Sequence, residues 1–115
     1  MPLLKLETTM SLPEDKQKSL VADLGKIVAA TIGKPEQYVM VTLGQAAMRM
    51  SGQDGPAAFV DIRSIGGLGG GVNQKLSRQI CQLLTESIGI PPGRIYLNFT
   101  EVEAGNWGWN GSTFG

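Results

Sequence analysis

The two halves of this chain repeat one another. The segment "TIGKPEQYVMVTL" from Thr31 lies over "SIGIPPGRIYLNF" from Ser87 without a gap, sharing Ile-Gly, a proline and the apolar alternation that follows. The same shift of 56 residues sets Leu4 and Leu6 on Val60 and Ile62. Matching punctuation at a fixed offset is the mark of a duplicated unit, and each half reads as strand, helix, strand. In the first half "LLKLET" (residues 3–8) alternates apolar and polar residues at strand period, and "YVMVTL" resumes strand character from Tyr38. Between them Leu20, Val21, Leu24, Ile27 and Val28 recur at helical spacing and define one buried stripe. Ser11 is the expected N-cap of that helix, with Pro13, Glu14 and Asp15 in its first turn, and Gly33 and Pro35 stop it. In the second half "AAFVDIRSI" and "RIYLNFTEV" are strands, separated by a helical stripe of Val72, Leu76, Ile80, Leu83, Leu84 and Ile88.

Two such units predict an α+β fold: two β-α-β repeats forming a four-stranded mixed sheet with both helices on one face. At 115 residues the chain is expected to form a single domain, 1–115. A sheet covered on one side leaves its other side bare. Leu4, Leu6, Val39, Val41, Ile62, Ile95 and Leu97 point to apolar residues on both faces, so self-association is expected to cover what the helices do not.

Composition narrows the chemistry. Ten basic residues balance ten acidic ones, and without a basic excess no nucleic-acid partner is expected. No apolar run reaches the ~20 residues of a membrane span, and the first residues lack a signal peptide's charged and apolar regions. The expected location is the cytosol, with export by a route that needs no signal peptide as the alternative. A lone Cys81 excludes an internal disulfide and any CxxC site. The absence of histidine removes the commonest base near neutral pH, the Ser-His and Cys-His nucleophile pairs and most zinc sites. No metal or cofactor is expected, and an acid-base group must be a carboxylate, a lysine, a tyrosine or the chain's own amino terminus.

Several residues could serve a site. Trimming of Met1 would leave Pro2 with a free secondary amine, although proline is also simply tolerated where a strand begins. The run "SIGGLGGGVNQ" joins a strand to a helix, where N–H groups can hold an anion or where glycines merely permit a tight crossover. It matches neither the dinucleotide fingerprint nor a phosphate loop. Lys34 follows Gly33 at a helix end, a favourable place for a cation. Tyr96 and Asn98, two apart on a strand, share one side. Trp107 and Trp109 precede an Asn110-Gly111 turn and Phe114, a set suited to sealing a core, an interface or a pocket.

Taken together, "MPLLKLETT", "GKPEQYVMV", "SIGGLGGGVNQKLS", "CQLLTESIGIPPGRIYLNF" and "NWGWNGSTFG" resemble the macrophage migration inhibitory factor branch of the tautomerase superfamily, nearly end to end. The resemblance implies a homotrimer with active sites between neighbouring subunits and a keto-enol tautomerase in which the Pro2 amine is the catalytic base. By the same resemblance Lys34 and the backbone N–H of Ile65 hold a substrate carboxylate or carbonyl oxygen. Tyr96 and Asn98 come from the adjacent subunit, Asn98 facing a phenolic hydroxyl, while Tyr38, Trp109 and Phe114 form apolar walls. The implied substrates are phenylpyruvate-like and dopachrome-like aromatic acids. Trp107 stands where the family has a smaller aliphatic wall residue, and Arg63 and Gly67 also depart from the pattern. Ala57, Ala58, Phe59 and Val60 replace the Cys-Ala-Leu-Cys segment of the animal factors, so thiol-disulfide activity is not expected. The alternative readings are a cytokine-like, receptor-binding protein with a vestigial pocket, and a small-ligand sensor that shares only the topology.

Overall fold

The computed structural model describes all residues, 1–115. The duplication holds to the residue. Helix α1 spans Glu14–Ile32 and helix α2 spans Gly70–Ile88, each of 19 residues. Both end on a glycine in the left-handed conformation, Gly33 and Gly89, where any side chain would be strained. A short 3-10 turn follows each, Glu36–Tyr38 and Pro92–Arg94. Strands β1 (Leu3–Thr8) and β2 (Met40–Gln45) pair in parallel with Leu3 opposite Met40. Strands β3 (Ala58–Ser64) and β4 (Ile95–Glu101) do the same with Phe59 opposite Tyr96, so the register too is repeated at the 56-residue offset.

The halves join where β1 meets β3 antiparallel, giving a mixed sheet in the order β2-β1-β3-β4. Leu4, Leu6, Val60 and Ile62 project from its centre onto Leu20, Leu24 and Val28 of α1 and Leu76, Ile80 and Leu84 of α2, all essentially inaccessible to water. Polar atoms at the margin of this core are paired: the buried Thr8 hydroxyl donates to Ala57 O (2.9 Å), and Thr31 Oγ1 donates to Gln79 Oε1 (3.2 Å) between the helices. After β4 the chain closes with a small hairpin, β5 (Gly108–Trp109) and β6 (Ser112–Thr113), turned by Asn110 and Gly111, both at positive φ as a two-residue hairpin requires.

Three expectations are corrected. Ser11 does not cap α1. The cap is Pro13, whose carbonyl accepts from Gln17 N–H (3.0 Å), and Ser11 lies two residues too early to reach the open N–H groups of the first turn. Tyr38 does not start a strand, because Pro35 leads into the 3-10 turn that Tyr38 completes. Nor do the seven apolar residues named above divide between the two faces; the open face has its own, Leu3 and Phe59. The register pairs Leu4 with Val41 and Ile62, and Val60 with Leu97, so these residues share the helix-covered face. The open face carries Lys5, Thr42, Asp61, Arg63 and Asn98, with exposed Met40 and Tyr96 toward opposite ends. No helix is long and apolar enough to cross a membrane.

Candidate active site

Strand β1 begins at a corner. Pro2 directly precedes it, buried, with its carbonyl accepting from Met40 N–H (3.0 Å), which fixes it against β2. Because β1 and β3 run in opposite directions, the far end of β3 arrives at the same corner and brings Arg63 opposite Leu3. The tail returns over both. Val102 N–H donates to Ser64 O (2.9 Å), leading the segment 104–114 across the mouth of the corner. A cavity of about 570 Å³ results, lined by Pro2, Tyr38, Trp107, Trp109 and Phe114 together with Arg63.

The tail holds its shape by two means. Phe114 N–H donates to Trp107 O (3.1 Å), and the rings of Trp109 and Phe114 stack with centroids 5.7 Å apart and planes inclined by 9°. This makes a flat aromatic wall, a geometry that favours a planar apolar ligand. Trp107 is half-buried and its ring joins the lining.

The amino group at the head of the chain has its pKa lowered, first by burial and then by the positive charge of Lys34. In this structure that group is carried by Met1, next to Pro2. Both causes disfavour the ammonium form and leave more of the neutral, proton-accepting amine. Lys34 follows the left-handed Gly33, and a Cβ placed on Gly67 would lie 3.8 Å from Lys34 Cε, so the glycine-rich loop and Lys34 are neighbours.

Among the residues expected from sequence, Pro2, Tyr38, Trp107, Trp109 and Phe114 therefore meet at one cavity. Lys34 acts on the amine without lining the cavity, and Ile65, just beyond the end of β3, is likewise outside its wall. Tyr96 and Asn98 do not reach this site within one chain. Tyr96 aligns through Phe59 with Glu7, and Asn98 aligns through Asp61 with Lys5, which puts them two strands away and Tyr96 toward the other end of the sheet. Two N–H groups of the glycine-rich run are already engaged: Glu101 Oε1 accepts from Leu68 N–H (3.1 Å) and Asn73 Oδ1 accepts from Gly69 N–H (3.1 Å). The lining residues Gln37, Met40, Arg63 and Asn106 were not among the candidates. Arg63 could not be placed there without the register of β1 against β3, and these strands are not consecutive.

The whole chain, residues 1–115, matches the sequence profile of the family described as "Macrophage migration inhibitory factor (MIF)". This chain belongs to the macrophage migration inhibitory factor family. It is 38% identical over 118 residues to the macrophage migration inhibitory factor of Meriones unguiculatus, with 99% of each chain covered. It is 36% identical over 115 residues to the homolog from Trichuris trichiura, covering 99% of this chain and all of that one. Among solved structures, the macrophage migration inhibitory factor-like protein of Entamoeba histolytica superposes with a TM-score of 0.94 at 36% identity, covering 98% of both chains. The homologue from Prochlorococcus marinus gives 0.93 at 39% identity, covering 98% of this chain and 99% of that one. Family membership and the two-helix, four-strand architecture thus agree with the resemblance read from the motifs.

Proposed function

We propose that this protein is a keto-enol tautomerase in which Pro2, freed by removal of Met1, is the general base. The observation that carries this reading is the coincidence of a chain-terminal amine, its pKa lowered by burial and Lys34, with an aromatic-walled cavity at the start of β1. A phenylpyruvate-like acid would lay its ring along the Trp109–Phe114 wall, with Tyr38 and Trp107 closing the sides. Lys34 and the Ile65 N–H would hold the carboxylate and the keto oxygen. The Pro2 nitrogen then takes a proton from the carbon beside the carbonyl, and the electron pair of the broken C–H bond moves to form the enol C=C. The negative charge gathers on oxygen, where Lys34 and the Ile65 N–H stabilise it. Returning the proton to that oxygen completes the isomerisation and restores the neutral amine, so no histidine, metal or oxidant is called for.

Tyr96 and Asn98 would enter from a second subunit. Both lie exposed on β4, an edge strand with one side unpaired, and a homotrimer that sets this edge beside a neighbour's Pro2 cavity would bring them in. Trp107 would narrow the mouth, which favours compact aromatic acids over bulky dopachrome-like ones. The test is phenylpyruvate tautomerisation by wild type and Pro2→Gly, with intact mass to establish that Met1 has been removed. Loss of about a hundredfold or more in kcat/KM is the expected result for removing the base. An unchanged rate in Pro2→Gly would refute the mechanism.

A further inference from the structure

Arg63 is the one charged side chain lining the Pro2 cavity, and no carboxylate lines it. Its guanidinium is steadied from one side only: Nε and Nη2 both donate to Asp61 Oδ2, at 3.3 and 3.1 Å. Asp61 is largely covered, with 17% of its side chain exposed, whereas the Arg63 side chain remains 54% exposed. A fork anchored along one edge keeps Nη1 free to donate, in an orientation already restricted before a ligand arrives. Arg63 also approaches from the open face of the sheet, opposite Leu3, while Lys34 approaches from the end of α1 in the helix layer. Of the two cations, Lys34 is the one that lowers the pKa of the chain-terminal amine. Arg63 is left without a part in the proton transfer.

We propose that Arg63 is a specificity residue that receives a second anionic group of the ligand, so that the cavity prefers aromatic 2-oxo acids bearing a further carboxylate to their monoacid counterparts. The inference rests on the Pro2 tautomerase reading for its substrate class. A monocarboxylate held by Lys34 leaves the Arg63 edge facing apolar walls and water. A dicarboxylate can offer its second carboxylate to Arg63 while its ring lies along the Trp109–Phe114 wall.

Equilibrium binding separates this inference from the mechanism on which it builds. Trp107 and Trp109 are the chain's only tryptophans and both line the cavity, so quenching of their fluorescence reports occupancy directly. Phenylpyruvate is compared with its 3-carboxyphenyl and 4-carboxyphenyl counterparts, in wild type, Arg63→Gln, Arg63→Lys and an Arg78→Gln control on α2. Wild type is expected to bind at least one dicarboxylate about tenfold more tightly than phenylpyruvate, the scale of one charge-assisted contact at a half-exposed site. Arg63→Gln should abolish that ratio, Arg63→Lys should retain part of it, and Arg78→Gln should retain all of it. Equal affinity for mono- and diacids in wild type, or a ratio that survives Arg63→Gln, overturns the proposal. The tautomerase reading is judged by turnover in Pro2→Gly, whereas the Arg63 ratio is read from binding and stands or falls with either result.

Discussion

At the start of β1 the chain places Pro2, and at the equivalent start of β3 it places Ala58. Both corners are built from the same elements. Each is made by a strand start, the partner strand running parallel to it and the 3-10 turn that leads into that partner. Met1, Pro2, Leu3 and Met40 line the first cavity, and their counterparts Ala57, Ala58, Phe59 and Tyr96 line a second depression of about 480 Å³. The corners differ in what reaches them. At the first, Tyr38 ends the 3-10 turn and the aromatic tail forms a wall. At the second, Arg94 occupies Tyr38's place and donates to the carbonyls of Met50 (2.8 Å), Pro56 (3.0 Å), Gln53 (3.2 Å) and Gly55 (3.4 Å), tying down the loop that enters β3. An arginine spent on backbone carbonyls organises a loop. The nitrogen of Ala58 is an amide inside the chain and cannot act as a base, so of the two similar frames only the first can serve the proposed proton transfer.

Paired substitutions at equivalent positions test how far the two halves are alike. Leu6 and Ile62 are equivalents, both fully buried in the shared core. Truncating either to Ala should cost about 2–5 kcal/mol in denaturant unfolding, and very unequal losses would mean that the halves do not share the core evenly. Next in size is the contrast at the corners: Pro2→Gly should lose about a hundredfold or more in phenylpyruvate turnover, whereas Ala58→Gly should stay within about threefold and show mainly the cost of a strand glycine, about 1 kcal/mol. Arg94→Ala should lose about 1–3 kcal/mol of stability, by leaving carbonyls without their charged donor, while Tyr38→Ala should raise KM with little loss of stability.

The smallest expected effect is a displacement in pH. The amine accepts a proton only when neutral, so activity should rise with pH through its lowered pKa and stay high above it. Lys34→Ala removes one cause of that lowering and should move the rising limb to higher pH, while Lys34→Arg, which keeps the charge, should move it less. A rising limb that stays in place in Lys34→Ala would separate Lys34 from the amine.

Much of the frame was legible because burial imposes period. The stripes through Leu20, Leu24 and Val28 and through Leu76, Ile80 and Leu84 need only local spacing to be seen, and Gly33 and Gly89 end the helices by their conformational freedom. Face assignment was not legible. Leu4 and Leu6 have even numbers while Val41 and Leu43 have odd ones, and only the parallel register sets them side by side. The same dependence on register concealed Arg63, which reaches the cavity through a pairing between strands separated by a helix and another strand. Tyr38 resembles a strand residue because its neighbours Val39 and Val41 alternate, yet the proline three residues earlier sets a turn first. Pro2, Trp107, Trp109 and Phe114 could be gathered from sequence because the family motifs carry them as a set, which local periodicity alone does not do.

Gly67 has a consequence for how such chains can vary. It sits at a φ of 82°, and a Cβ there would stand 2.5 Å from Cγ2 of Ile32, the last residue of α1 and two before Lys34. A side chain at 67 would thus collide with the segment that presents the lysine. Positions 67 and 32 are therefore sterically coupled: a side chain at the first fits only if Ile32 gives way, by a smaller residue there or by a shift of the segment that carries Lys34.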